Sequence, residues 1–189
     1  IGLQFGAIAT IFTKRVDRQD ELVVHAEALA QADISFGDLE LMDARGEYLR
    51  RRFFSGVDIP RHVDDPAVLA GRNFLGLSNT AVRAAALTEE SLHIPADVVA
   101  ADWWLFTTLL HAGRTAHRTV SPVGAYRLYG GNTLGAGVPA TRAQLQRSMD
   151  IALRHYRAFP VDRELAARHG ASDAEWVQRY VRELAPDVQ

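Results

Sequence analysis

A chain of 189 residues is long enough to bury one sizeable core, and 48% hydrophobic with 23% charged residues is an ordinary globular composition, which sets aside disorder and fibres. The formal net charge of −2 gives no basic footprint for nucleic acid, and the absence of cysteine removes disulfides, thiolate metal sites and cysteine nucleophiles. No apolar run is long enough to span a bilayer, and the apolar first twelve residues lack a basic leader and a cleavage site, so a cytoplasmic protein without a transmembrane segment is expected. The start at isoleucine leaves room for a longer gene product upstream.

Taken in order, residues 5–13 (Phe-Gly-Ala-Ile-Ala-Thr-Ile-Phe-Thr) are β-branched and aromatic, as in a buried strand. Asp17, Asp20 and Glu21 then head an amphipathic helix with Leu22, Val23, Ala26, Leu29 and Ala30 on one face. Residues 34–36 read as a short strand closed by Gly37-Asp38, and residues 39–43 pair with 48–54 across Ala44-Arg45-Gly46. Arg50-Arg51-Arg52 ends that hairpin, where a basic trio serves as a solvated edge against further pairing or as a phosphate contact.

Asp65-Pro66 reads as an N-cap and first helical position, opening a short helix towards Leu69. The segment from Asn73 to Asn79 forms a turn, and a helix is expected over 80–87. Leu105, Phe106, Leu109 and Leu110 recur at helical spacing, so a helix starts near Asp102 and stops at Gly113. Asp102 stands where a capping carboxylate would, and the positive end of the helix dipole there favours its ionised form.

A strand-like run follows Gly113, then Ala-Tyr-Arg-Leu-Tyr-Gly-Gly-Asn-Thr-Leu-Gly over 125–135. Residues 135–139 are linker-like. Thr141-Arg-Ala-Gln144 is a capping box opening a helix with Leu145, Met149, Leu153 and Tyr156 in one stripe, and Ser172-Asp-Ala-Glu175 opens another with Trp176, Tyr180 and Leu184. These helices suit an appendage on the core or a contact between two copies of the chain.

Asp102-Trp-Trp-Leu-Phe, a glycine-ended helix, and then Tyr126-Arg-x-x-x-x-Asn132-Thr-x-Gly135 together resemble the acceptor-side half of a family 2, GT-A type glycosyltransferase. Asp33 to Gly46 and the Asn-Thr-Ala-Val-Arg segment at 79–83 fit the same pattern. The resemblance implies a GT-A-like α/β core over 1–135, a mixed sheet flanked by helices, with a C-terminal helical extension over 136–189. It also implies inverting transfer from a nucleotide-sugar donor to a carbohydrate or other hydroxyl acceptor, with Asp102 as general base.

Substrate contacts are implied for Asp38, Asn73, Gly76, Ser78, Asn79, Trp103, Tyr126, Arg127 and Asn132. A divalent metal, Mg²⁺ or Mn²⁺, is implied as well. Its Asp-x-Asp-like cluster is represented here by Thr13-Lys14-Arg15-Val16-Asp17, where Asp17 alone can be matched and doubles as an N-cap. The family's N-terminal nucleotide-binding portion is not part of this sequence, and Tyr129 stands where the family often has histidine.

Other readings of the same residues stand beside these. Asp102 is equally a plain helix cap, the tryptophans core packing, Ser78 and Asn79 a turn, and Arg127 half of a structural ion pair. At the level of function, two alternatives accompany the transferase. One is a catalytically inactive GT-A-like domain that binds carbohydrate or protein, and the other an unrelated α/β domain whose C-terminal helices mediate assembly.

Overall fold

The computed structural model describes residues 18–70, 72–128 and 142–159. The expected strand at 5–13, the metal candidate Asp17, the substrate candidate Asn132, the linker at 135–139 and the helix from 172 lie outside them. Within the described residues the chain is mixed α/β, with five helices and two mixed sheets. None of those helices is long and apolar enough to cross a membrane.

Helix α1 (Arg18–Leu29) packs on strand β1 (Ile34–Phe36), whose three residues are all buried. The face that α1 turns inward differs from the apolar stripe in the sequence. Val23 is exposed, while His25 and Ala28 are buried. His25 reaches the core because its Nδ1 lies 2.8 Å from Ser35 Oγ on β1, which satisfies both polar groups.

Two residues, Gly37 and Asp38, separate β1 from strand β2 (Leu39–Met42), and there the chain changes sheets. Strand β3 (Tyr48–Arg52) returns antiparallel to β2, as the hairpin pattern predicts. Asp43 closes the turn by accepting the N–H groups of Arg45 at 2.8 Å and Glu47 at 2.9 Å, and Gly46 takes φ 89°, a conformation that favours glycine.

Strand β4 (His62–Val63) and helix α2 (Ala67–Ala70) follow, with Asp65 Oδ1 accepting the Ala67 N–H at 2.8 Å, as the Asp-Pro pair predicts. The expected helix over 80–87 is instead strand β5 (Thr80–Val82) and a single 3-10 turn (Ala84–Ala86). Thr80, Ala81 and Val82 pair antiparallel with β1, and sheet pairing overrides the helical preference of the alanines. Helix α3 (Glu89–Leu92) is opened by a Thr88–Ser91 capping box.

Helix α4 (Ala101–His111) buries Phe106, Leu109 and Leu110 against Ile34, Phe36 and Leu75 in the main core. Gly113 ends it at φ 78°, with its N–H bonded to the Leu110 carbonyl and that of Arg114 to Leu109. Strands β6 (Ala116–Arg118) and β7 (Gly124–Arg127) then run parallel to β1 and β2 respectively. One sheet has the order β4-β6-β1-β5, the other β3-β2-β7.

The two parallel pairs cross between sheets at the same place. The N–H groups of Thr119 and Val123 bond the carbonyls of Phe36 (2.7 Å) and Asp38 (2.9 Å), on either side of Gly37. A Cβ on Gly37 would sit 2.4 Å from both Thr119 Oγ1 and Val123 Cγ1, so only glycine fits.

Helix α5 (Arg142–Ala158) packs onto α4 and α2 through Trp103, Ala70, Ala152 and Tyr156. Among its residues 146–158 the buried ones are Ser148, Ile151, Ala152, His155 and Tyr156, whereas Leu153 of the expected stripe is 37% exposed. The buried face is therefore rotated from the apolar one, because a serine and a histidine take core positions.

Candidate functional site

The site is built where the first turn of α4 meets the loop between α2 and β5. Trp103 fixes the helix there. It is buried, its Nε1 donates to the Leu69 carbonyl at 3.1 Å, and its indole stacks on His155 with centroids 4.1 Å apart. The tryptophan beside Asp102 is thus a packing residue. Trp104 is half-buried and meets the edge of Phe159 at 5.2 Å.

Asp102 lies two residues further into the helix than the cap. The N-cap is Ala100, which offers no side-chain bond, and Asp102 occupies the first turn. Its Oδ1 accepts the Trp103 N–H at 2.8 Å. The polar groups of Asn73, Leu77 and the Asp102 backbone act with that bond to draw the carboxyl's pKa down.

The helix dipole at this position favours the ionised form of the group. In the structure, burial is larger and pushes the carboxyl up from its ordinary value, with those four groups opposing it. A partly dehydrated helix end offers less stabilisation to an anion than a solvated one.

The loop is held by Asn79, which is 3% exposed. Its Oδ1 accepts the Gly76 N–H at 2.8 Å, and its Nδ2 donates to the carbonyls of Gly37 (2.9 Å) and Phe74 (3.2 Å). Phe74 and Leu75 are buried and anchor the loop to the core, leaving Leu77 exposed and Ser78 half-buried at its tip. At Gly76 a Cβ would lie 3.1 Å from Asn79 Oδ1 and 3.8 Å from Asp102 Oδ2, so the backbone passes close to the carboxylate.

Five candidates from the sequence are thus brought together: Asp102, Asn73, Gly76, Ser78 and Asn79. Three others belong to the second sheet. Asp38 is buried, and its Oδ1 accepts the N–H groups of Leu39 (2.8 Å) and Phe54 (3.0 Å). Arg127 donates to the Ala44 carbonyl at 2.9 Å, holding the β2–β3 turn. Tyr126 packs near Phe53, with ring centroids 5.8 Å apart.

Leu77 was not among the residues singled out from sequence. It contributes a backbone N–H, which every residue but proline carries, so no side-chain pattern marks it. Among the described residues no group of three or more histidine, aspartate or glutamate side chains is placed to hold a metal ion. His62 and His117 are directly opposed across β4 and β6, with ring centroids 6.3 Å apart.

Comparison of the chain with protein-family models, with curated proteins and with solved structures found no match.

Proposed function

We propose that this chain is the acceptor-side portion of an inverting GT-A type glycosyltransferase, with Asp102 as general base. One observation carries the reading: a half-buried carboxylate, raised above its ordinary pKa, sits in the first turn of α4 against the glycine-containing loop 73–79. A general base works best when its pKa lies near the operating pH, and burial moves Asp102 in that direction.

In the proposed step the acceptor hydroxyl oxygen forms a bond to the anomeric carbon of the donor sugar. The bond from that carbon to the nucleoside diphosphate oxygen breaks, and the diphosphate leaves with the electron pair. The hydroxyl proton passes to Asp102. Divalent metal chemistry belongs to this reading through the resemblance alone, and no residue described here is assigned to hold an ion.

The test is Asp102→Asn in the full-length gene product, assayed with a panel of nucleotide-sugars. Transfer is expected to fall about 10²- to 10⁴-fold, the usual contribution of a positioned base. Wild-type rates of transfer and of sugar-nucleotide hydrolysis in this variant would remove the assignment.

A second reading, a GT-A-like domain that binds carbohydrate without turnover, is favoured by the internal bonding of Asp38, Asn79 and Arg127. Thermal-shift screening separates the two. A transferase responds to nucleoside diphosphate with Mn²⁺, and a sugar-binding relic responds to glycans alone.

A further inference from the structure

We infer that His62 and His117 form a two-ligand site for a divalent transition metal of the imidazole-binding kind, Zn²⁺, Cu²⁺ or Ni²⁺, on the outer strand pair of the β4-β6-β1-β5 sheet. None of the residues around Asp102 takes part, so the site is independent of the transferase reading.

The ladder places both rings on one side of the sheet. His62 and His117 are partners in antiparallel register, and directly opposed residues share a face. The Arg118 N–H bonds the Arg61 carbonyl at 2.8 Å. Hydrogen-bonded and non-hydrogen-bonded pairs alternate along such a ladder, so His62 and His117 are of the second kind, in which side chains stand closer. Their ring centroids are 6.3 Å apart, with the planes 55° to one another. A metal bound to one nitrogen of each ring at about 2.0–2.1 Å holds the rings at about that separation or nearer. Rotation of the two side chains completes the site, with the strands as they stand.

Register continues the row inward. His117 pairs with Ser35 on β1, and Ser35 Oγ lies 2.8 Å from His25 Nδ1 on α1. The row therefore lies on the face that α1 covers, with Ser35 and His25 buried, His117 half-buried and His62 exposed. The inner histidine is committed to Ser35. Among the described residues no hydrogen bond engages His62 or His117, and their ring nitrogens can meet an ion arriving from solvent. Strand alternation sends Arg118 to the opposite face, where it donates to the Ile59 carbonyl at 3.2 Å and lies 5.3 Å from the Phe54 ring centroid. Arg61 is exposed, and its charge acts against a cation at His117.

Two protein nitrogens are fewer than the four ligands of a closed structural site, and among the described residues no third histidine, aspartate or glutamate completes one. The remaining coordination positions fall to water or to another small ligand.

The measurement is isothermal titration of Zn²⁺ into the full-length gene product at neutral pH, for wild type, His62→Ala, His117→Ala and His93→Ala. Two imidazoles on neighbouring strands make the second bond intramolecular, so losing either is expected to weaken binding about 10²-fold. His93 is exposed at the end of α3, and its loss is expected to leave binding unchanged. Arg61→Ala is expected to tighten it. Only the folded chain aligns β4 with β6, so Zn²⁺ should raise the thermal midpoint of wild type and of His93→Ala, and leave both pair variants where they are. Mg²⁺, which prefers oxygen ligands, should shift none of them. Equal affinity in wild type and both pair variants overturns the inference, as does a wild-type protein that takes up no Zn²⁺ at millimolar concentration. Should His117→Ala not fold, the variant at exposed His62 decides alone.

Discussion

The two sheets treat their polar side chains differently. In the β3-β2-β7 sheet, Asp38 and Arg127 bond backbone groups of their own neighbourhood, a buried pair of N–H groups in one case and a turn carbonyl in the other. Beside the β4-β6-β1-β5 sheet, the loop 73–79 passes close to a side chain on another element, the Asp102 carboxylate. The first arrangement stabilises local backbone. The second holds a half-buried charge at a place where exposed Leu77 and half-buried Ser78 face outward. Residue type does not separate the two, since all these residues are ones that suit substrate binding; what separates them is the partner.

The contrast can be broken by measuring activity and stability on the same variants. The largest effect expected is the loss of transfer in Asp102→Asn, about 10²- to 10⁴-fold. Asp38→Ala is expected to act on the other axis, costing about 3 kcal/mol in denaturant unfolding because two buried N–H groups lose their acceptor. Its transfer rate per folded molecule should stay near wild type. Lost transfer at unchanged stability would place Asp38 with the site instead.

His25 gives an effect of similar size through pH. Burial lowers its pKa from 6.5 to about 4, so the folded chain keeps it neutral while the unfolded chain protonates it. The unfolded state then binds more protons between those values, and stability is present above pH 6.5 and lost as pH falls towards 4. The full span amounts to about 3 kcal/mol. Asp102 tilts the other way: its raised carboxyl favours the folded state at low pH, and that contribution disappears as pH rises through its folded value. A His25→Gln variant should flatten the acid loss seen in unfolding curves at pH 4, 5 and 7.

The smallest effect is expected for Arg127→Ala. Losing one bond to the exposed turn carbonyl of Ala44 should cost about 1 kcal/mol, with little change in transfer. A large drop in transfer would bring the second sheet into the site.

Much of the frame could be read from residue order. The hairpin across Ala44-Arg45-Gly46, the Asp65-Pro66 helix start and the Gly113 stop each rest on local backbone chemistry, which the sequence displays directly. The meeting of the loop 73–79 with Asp102 comes from the fold, where Asn79 holds the loop and Gly76 passes close to the carboxylate. What escaped was set by tertiary partners. Residues 80–82 became a strand because β1 offered an edge. Both α1 and α5 turn a histidine inward, His25 onto Ser35 and His155 onto Trp103, so a search for apolar stripes misjudges which face is buried. The direction of the Asp102 shift depends on how much water the loop removes, which spacing does not reveal.

The missing side chain at Gly37 has a consequence beyond packing. Its carbonyl accepts from Asn79, and Asn79 in turn grips the loop that passes beside Asp102. A methyl group at this crossing would collide with Thr119 and Val123 and shift that carbonyl, so damage to the framework would arrive at the carboxylate by a relay of two links. The surroundings of the Asp102 carboxylate thus depend in part on a buried backbone oxygen two links away.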